Sequence, residues 1–130
     1  MGEFDVITRY FSSLGSGEFV DLSVGDDAAA LTAPPNSELI VSTDSSVLDT
    51  HFTDDMFPED VGYKAVASAV SDLAAMGAEP LGMTLALTMP SVDDLWLHGL
   101  SQGLARACHE YSLPLVGGDT TRGPLSLTLT

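Results

Sequence analysis

Apolar residues recur at helical spacing in three stretches of the chain. In residues 3–14 they precede a Gly-Ser-Gly run that breaks helices, which predicts a short amphipathic helix. Residues 58–76 are rich in alanine, with acids at the start and a glycine just beyond, and give the clearest predicted helix. The third helix is predicted to run to about Tyr111, and Ser91 three residues before Asp94 resembles a capping box at its start.

Strand-type patterns alternate with these helices. Residues 83–89 alternate apolar side chains with small or polar ones and predict a half-buried strand. Residues 38–42 contain three consecutive apolar residues and predict a buried strand with Thr43 and Asp44 at its end. Shorter strands are predicted at residues 20–24, 114–116 and 125–130. The order of helix, strand, strand, helix, strand, helix, strand, strand predicts a mixed α+β domain and not a strict βαβ alternation.

The chain is long and apolar enough for one folded domain. It has 130 residues, of which 45% are hydrophobic, and this is enough for a buried core. Residues 125–130 alternate with strand period and then stop without a turn signal. We therefore expect residues 1–130 to be the N-terminal domain of a longer protein whose C-terminal domain is not part of this chain.

The charge balance narrows the classes of partner. The 19 acidic and 4 basic residues give a formal charge of −15, which argues against nucleic acids and anionic membranes because phosphate backbones demand Lys and Arg. Negatively charged substrates would need accompanying cations. The single cysteine, Cys108, excludes an internal disulfide. With no leader pattern and no apolar stretch of about 20 residues, we expect a cytoplasmic protein that does not bind membranes.

Five segments place a carboxylate or an imidazole beside glycine, serine or threonine, and loops at the ends of apolar runs carry function in many proteins. Carboxylates that converged there would repel one another by roughly 4 kcal/mol per pair at about 4 Å and an effective dielectric of about 20. Oxygen ligands without a Cys or His cluster favour magnesium, which uses few carboxylates and brings phosphate with it. The sequence therefore predicts a magnesium nucleotide site. The five segments are Gly25-Asp26-Asp27, Ser42-Thr43-Asp44, the stretch ending in His51, Ser71-Asp72-Leu73 and Gly117-Gly118-Asp119-Thr120-Thr121.

Three of these segments carry specific expectations. In Gly25-Asp26-Asp27 one carboxylate can face a metal while the other accepts a local backbone hydrogen bond, although the triplet also suits an ordinary turn. In the Gly117–Thr121 segment, predicted to follow a strand, consecutive glycines let backbone N–H groups approach phosphate while Asp119 supplies charge for a metal. Asp72, near a helix C-terminus, faces the negative end of the helix dipole, a cost that a bound cation would offset. A solvated aspartate is the other interpretation of Asp72.

Other catalytic chemistries fit the sequence less well. It contains neither the P-loop motif nor the dinucleotide-binding fingerprint. Cys108 falls within a predicted helix with no obvious base, and no G-x-S-x-G motif occurs. His98 and His109 lack partners at metal-binding spacing, so we expect them at the surface or in the core. A hydrolase with paired carboxylates is conceivable but would leave the Gly-Gly-Asp-Thr-Thr segment unexplained.

Together, the ordered motifs resemble the thiamine-monophosphate kinase family over essentially the whole chain. The Ser-Asp-Leu-Ala-Ala-Met-Gly and Gly-Gly-Asp elements also recur in aminoimidazole-ribotide synthetases and selenophosphate synthetases, which share the ATP chemistry. One departure is that Asp49-Thr50 precedes His51, where family members usually carry a glycine. The motifs are Gly2-Glu3-Phe4, Gly25-Asp26-Asp27, Ser42-Thr43-Asp44, His51-Phe52, Tyr63-Lys64-Ala65, Ser71-Asp72-Leu73-Ala74-Ala75-Met76-Gly77-Ala78 and Gly117-Gly118-Asp119-Thr120-Thr121-Arg122-Gly123.

The resemblance implies an N-terminal domain that binds ATP and magnesium. Its fold would be the α+β fold of aminoimidazole-ribotide synthetase N-terminal domains, with helices on one face of a mixed sheet and a β-barrel shared across a homodimer. The implied activity is ATP-dependent phosphorylation of thiamine monophosphate to thiamine diphosphate by in-line transfer, and the isolated fragment would be inactive. His51 would contact substrate, and Gly118 and Asp119 would touch ATP. The implied magnesium ligands are Asp27, Ser42, Thr43, Asp44, Asp72 and Asp119.

Two alternatives stay open. The chain could belong to a related ATP-dependent enzyme of the same fold that acts on another substrate. It could also be an acidic dimerisation or cation-binding module without catalysis, and such a module would gain nothing from a nucleotide. Calorimetry with magnesium and an unhydrolysable ATP analogue separates this module from both enzymes.

Overall fold

The computed structural model describes residues 2–130 and contains three helical regions and six strands. The first helical region is irregular: helix α1 (Glu3–Val6) continues as a π-helical turn (Ile7–Phe11) and a 3-10 turn (Ser12–Leu14). None of the helices within residues 2–130 has both the length and the apolar composition needed to cross a membrane. The remaining elements are β1 (Val20–Leu22), β2 (Ala30–Leu31), β3 (Asp44–Val47), α2 (Pro58–Ala75), β4 (Met83–Met89), α3 (Asp94–Tyr111), β5 (Leu115–Arg122) and β6 (Ser126–Leu129).

A four-stranded mixed sheet forms the centre of the fold, in the order β3-β6-β4-β5. Strand β6 runs antiparallel to both of its neighbours, whereas β4 and β5 are parallel and are connected through α3. Strands β1 and β2 form a separate antiparallel pair. This arrangement confirms the predicted α+β class with a mixed sheet.

The hydrophobic core lies on one face of this sheet. Along β4, Met83, Leu85, Leu87 and Met89 are buried and the residues between them are not, as the alternating pattern predicted. Helices α2 and α3 cover this face, and the apolar stripe of α3 that includes Leu97 is fully buried against it. The opposite face is lined by small and hydroxyl-bearing side chains. They include Ser45, Thr84, Ala86, Thr88, Ser126 and Thr128.

Glycines bring α2 and α3 into close contact. A Cβ at Gly62 of α2 would lie 2.8 Å from the carbonyl oxygen of Leu100, and a Cβ at Gly103 of α3 would overlap the backbone carbonyl of Glu59. Ridges and grooves of two helices interlock more tightly where a side chain is missing. Glycines on both helices therefore allow the close contact between α2 and α3.

The prediction of a strand at residues 38–42 is wrong. These residues form no strand, and Leu39 and Val41 are 65% and 76% exposed. Strand β3 starts only at Asp44, which pairs with Leu129 of β6. The residues before Asp44 therefore have no strand beside them, and an apolar run alone does not supply the missing hydrogen-bond partners. Thr43 and Asp44 consequently lie at the start of a strand and not at the end of one.

Two local boundaries also differ from the prediction. The glycine-rich segment does not follow a strand but lies inside one, because β5 extends from Leu115 through Asp119 to Arg122. At the start of α3 the cap is Asp93 and not Ser91, since the Asp93 Oδ1 accepts a hydrogen bond from the Trp96 backbone N–H at 3.1 Å. A carboxylate three residues before the N3 amide is a good cap.

Candidate functional site

The residues predicted to bind metal, ATP and substrate lie in three separate places on the fold. Within residues 2–130 no three His, Cys, Asp or Glu side chains are arranged so that they could hold a metal ion together. The carboxylates and imidazole of the five segments therefore do not form a cluster of three in the described residues. The groups are Asp27 with Gly118 and Asp119, Ser42 with Asp72, and Asp44 with His51.

The first group lines a cavity of about 350 Å³ between β5 and the N-terminal helical region, called here the acidic cavity. Residues 24–27 and residues 117–120 both line it. The Asp27 backbone N–H donates to Asp26 Oδ1 at 2.8 Å. Asp26 thus accepts the local backbone hydrogen bond that was predicted for one of the two carboxylates, and the metal role of Asp27 stays a prediction.

Gly118 holds the strand wall of the acidic cavity against β4. Its φ of +150° is unfavourable for residues with a side chain, and a Cβ there would overlap the carbonyl of Leu85. Asp119 follows with an exposed carboxylate, whose Oδ2 accepts from the Thr121 hydroxyl at 3.1 Å. The β5 backbone at Gly118 and the carboxylate of Asp119 are therefore both exposed, and both line the acidic cavity.

The second group joins the segment before β3 to the C-terminal half of α2. The Ser42 hydroxyl donates to Asp72 Oδ2 at 3.5 Å. Ser42 also lines a cavity of about 530 Å³ beside the α2 side chains Ala69 and Leu73. Thr43 is held differently, since its hydroxyl lies 3.2 Å from the hydroxyl of Thr130. The oxygens of Ser42 and Asp72 thus form a pair, and Thr43 faces the sheet.

The third group surrounds His51 in a cavity of about 140 Å³ that Asp44 and Lys64 also line. The Val47 backbone N–H donates to His51 Nδ1 at 3.0 Å, so the neutral imidazole carries its proton on Nε2. Lys64 Nζ lies 3.4 Å from the His51 carbonyl oxygen. Asp49 takes a left-handed conformation with φ of +67°. The loop thereby forms the turn that a glycine usually provides, and His51 is held in place.

Comparison with known proteins assigns this arrangement to a family. Residues 25–130 match the model for "AIR synthase related protein, N-terminal domain". The chain belongs to this family. All five acid-bearing segments lie within the matched residues. The expected aminoimidazole-ribotide synthetase-like fold is therefore confirmed.

Three individual proteins show how far this likeness extends. The chain is 50% identical over 131 residues to the thiamine-monophosphate kinase of Haemophilus influenzae. The aligned region covers 100% of this chain and 40% of that protein. It superimposes on the thiamine-monophosphate kinase of Stenotrophomonas maltophilia K279a with a TM-score of 0.80 at 40% identity, across 86% of this chain and 35% of that one. For AaThiL complexed with AMPPCP and TMP, the TM-score is 0.66 at 29% identity, across 68% and 29% of the two chains. The chain thus spans about 40% of the curated relative it matches.

The charged side chains that line the acidic cavity are all negative. Three of its lining residues are Asp26, Asp27 and Asp119, and no lysine or arginine of the described chain lines it. An anionic ligand would be repelled there unless a cation accompanied it. The donor atoms are all oxygens, which are the ligands that magnesium prefers.

Cys108 is not arranged for nucleophilic chemistry. Burial raises the pKa of its thiol to about 11, against an ordinary value of 9.0. The thiolate is the reactive form, so a raised pKa suppresses reactivity near neutral pH. A raised thiol pKa does not favour nucleophilic chemistry at Cys108.

One part of the lining of the acidic cavity was not predicted from the sequence. The N-terminal helical region was predicted only as a short amphipathic helix, yet Phe4, Ile7, Thr8 and Phe11 line the same cavity as the aspartates. Helical spacing identifies an apolar face but does not say which element covers it. The π-helical turn at Ile7–Phe11 is of a kind often found at functional sites. No pattern in the sequence predicted it.

Proposed function

We propose that this chain is the N-terminal domain of a thiamine-phosphate kinase, which transfers the terminal phosphoryl group of ATP to thiamine monophosphate and forms thiamine diphosphate. The observation that carries the proposal is the acidic cavity, in which Asp27, Gly118 and Asp119 line one space without a lysine or arginine among its described residues. The proposal is supported by the thiamine-monophosphate kinase that is 50% identical to this chain. It is also supported by the likeness to AaThiL complexed with AMPPCP and TMP.

Magnesium is the cation that suits these residues. It typically binds one or two carboxylates and completes an octahedron with water and phosphate oxygens. Such a coordination needs no cluster of three acidic side chains, and none occurs within residues 2–130. Several ions, each held by one or two protein oxygens and joined through the phosphates, would use the separate groups. The proposed ligands are Asp27, Ser42, Thr43, Asp44, Asp72 and Asp119.

The chain itself would contribute positioning and charge. Gly118 lets β5 pack closely on β4 at the cavity where ATP would lie, and Asp119 would contact both the nucleotide and a cation. When bound, magnesium supplies the positive charge that offsets the negative charge on the β- and γ-phosphates during transfer. No side chain is assigned as a general base, because the attacking oxygen belongs to a phosphate that is already ionised.

His51 is the proposed contact to thiamine monophosphate. Because its Nδ1 accepts the Val47 N–H, its Nε2–H remains available to a ligand. Lys64 lines the same cavity and is the only lysine in the chain. A single positive charge beside His51 favours the anionic end of the substrate.

A homodimer is part of the proposal. The hydroxyl-bearing face of the sheet is not covered by a helix, and exposed Leu39 and Val41 precede the edge strand β3. Two such sheets facing one another would enclose a barrel and protect strand edges that are otherwise open. This accounts for an apolar run, residues 39–41, that has no strand partner among residues 2–130.

The remaining elements of the proposal concern the whole protein. Relatives are longer than this chain, which covers 40% of the Haemophilus influenzae protein. We infer that a C-terminal domain completes substrate binding, so residues 1–130 alone would not turn over. The charge of −15 argues against binding to nucleic acid or anionic membranes. We place the protein in the cytoplasm.

The test uses the full-length protein that contains this chain, incubated with magnesium, ATP and thiamine monophosphate. Chromatography should show ADP and thiamine diphosphate in equal amounts, and chelation of magnesium should stop both. ADP formation without thiamine diphosphate would contradict the proposed acceptor. Binding of ATP with no product would assign the fold to an enzyme with another substrate.

A further inference from the structure

The acidic cavity has two chemically different walls. Aspartates and the glycine-rich part of β5 form one wall, whereas Phe4, Ile7 and Phe11 of the N-terminal helical region form the other. A cation with phosphate suits the first wall and offers nothing to the second. A ligand that fills the whole cavity therefore has an anionic end and an apolar end.

Phe4 is the residue of the apolar wall that packing does not explain. It is 80% exposed, whereas Val6 is fully buried and Phe11 is 5% exposed in the same helical region. A large exposed aromatic side chain costs solvation free energy and is informative where it lines a cavity. Phe4 is thus free to contact a ligand.

The helical region that carries Phe4 is firmly attached to the rest of the fold. The Tyr10 hydroxyl donates to Asp94 Oδ1 at 2.6 Å, and Arg9 Nη1 lies 3.5 Å from the same oxygen. Tyr10 and Val6 are also buried in the core. The attachment fixes one face of the region and leaves Phe4 facing the cavity, as a preorganised contact requires.

We propose that Phe4 is a ligand-contact residue that stacks on the base of the nucleotide whose phosphates are held at Asp27, Gly118 and Asp119. This inference rests on the proposed function, because it takes the phosphate position from it. Every nucleobase has a flat π-face, and an aromatic side chain stacks on it without needing hydrogen bonds. Phe4 would therefore add affinity for the base and not for the phosphates.

The experiment measures binding, by calorimetry, of two magnesium complexes to the full-length protein. One ligand is AMPPNP and the other is tripolyphosphate, which has the phosphates but no base. In Phe4→Ala the dissociation constant for AMPPNP should rise about tenfold, as loss of one aromatic stack implies. The dissociation constants for tripolyphosphate should agree within about twofold between Phe4→Ala and the unmodified protein. The substitution changes neither the residues that hold the phosphates nor the cation. Phe4→Trp should restore AMPPNP binding.

Phe57 provides the matched control. It is 72% exposed, as Phe4 is, but it precedes α2 and does not line the acidic cavity. Phe57→Ala should leave both dissociation constants unchanged. A similar loss for both ligands in Phe4→Ala, or no loss for AMPPNP, would overturn the inference.

The same measurements separate this inference from the proposed function. If the unmodified protein forms thiamine diphosphate and Phe4→Ala binds AMPPNP normally, the role of Phe4 is wrong and the function stands. If AMPPNP binding depends on Phe4 but no thiamine diphosphate forms, the role of Phe4 stands and the acceptor is wrong. If the unmodified protein does not bind AMPPNP, both are wrong.

Discussion

The Cα of Gly118 faces the backbone carbonyl of Leu85 so closely that a Cβ on residue 118 would overlap the carbonyl oxygen and lie 2.7 Å from the carbonyl carbon. Residue 118 also has φ of +150°. Gly118→Ala should therefore lower the free energy of unfolding by at least about 2 kcal/mol, because it combines backbone strain with displacement of β4. Urea denaturation measures this change.

Gly117 is the control for Gly118. A Cβ at Gly117 would meet nothing closer than Thr84 Cγ2 at 3.9 Å, an ordinary contact. Gly117→Ala should change the free energy of unfolding by less than about 1 kcal/mol. Equal effects of the two substitutions would show that Gly118 is not fixed by its contact with Leu85.

Packing of the two long helices gives the second prediction. Gly103→Ala should destabilise the protein by about 1–3 kcal/mol, because the added methyl group would displace the backbone of α2 at Glu59. In an open helix the same substitution would be stabilising by about 1 kcal/mol. The difference in unfolding free energy between Gln102→Gly and Gln102→Ala, at an exposed position of the same helix, measures the glycine-to-alanine propensity effect alone. A rise in melting temperature for Gly103→Ala would contradict the close packing.

Local sequence patterns predicted those helices and strands in which buried side chains recur at regular spacing. The strand Met83–Met89 was predicted with its bounds, and α3 was predicted through Tyr111, because each buries one periodic face. The strand predicted at residues 38–42 failed for a different reason. Whether an apolar run becomes a strand depends on a neighbour to pair with, and periodicity carries no information about that neighbour.

The candidate site was predictable in its chemistry and not in its geometry. The turn chemistry of the Gly-Asp-Asp triplet predicted that one carboxylate would bond the local backbone, and the structure shows that this one is Asp26. The separation of Asp72 from Asp119 did not, because it depends on how α2 and β5 are placed in space. The two glycines of β5 were interpreted as a loop because glycine usually weakens strands. Both instead lie inside β5, and at Gly118 the backbone of Leu85 comes close.

Cys108 supplies a prediction about reactivity. Its thiol has a pKa of about 11 in the folded protein, raised by burial from an ordinary 9.0. Since a raised pKa lowers the thiolate fraction, alkylation by iodoacetamide at about pH 8 should be at least about tenfold slower in the native than in the unfolded protein. Cys108→Ala should leave thiamine diphosphate formation unchanged in the full-length protein. Loss of activity on this substitution would reopen the role of the thiol.

The proposed magnesium ligands give the fourth prediction. Asp119→Asn and Asp72→Asn should each lower turnover by about 100-fold or more in the full-length protein, since each removes charge that holds a cation at the phosphates. Both carboxylates are exposed, so the melting temperature should stay within a few degrees of the unmodified value. Asp54→Asn, an exposed change away from the acidic cavity, is the control. Near-normal turnover in both variants would remove these residues from the metal site.

The proposed dimer depends on the apolar run before β3. Val41 is 76% exposed in one chain, and a dimer that covers it would have to bury any charge placed there. Val41→Asp should therefore raise the dissociation constant of the dimer by at least about tenfold, measured by sedimentation equilibrium on residues 1–130. Phe57→Asp places the same charge at an equally exposed position preceding α2 and should leave the dimer intact. A monomeric unmodified chain, or equal dissociation by both substitutions, would mean that residues 39–41 are not the dimer contact.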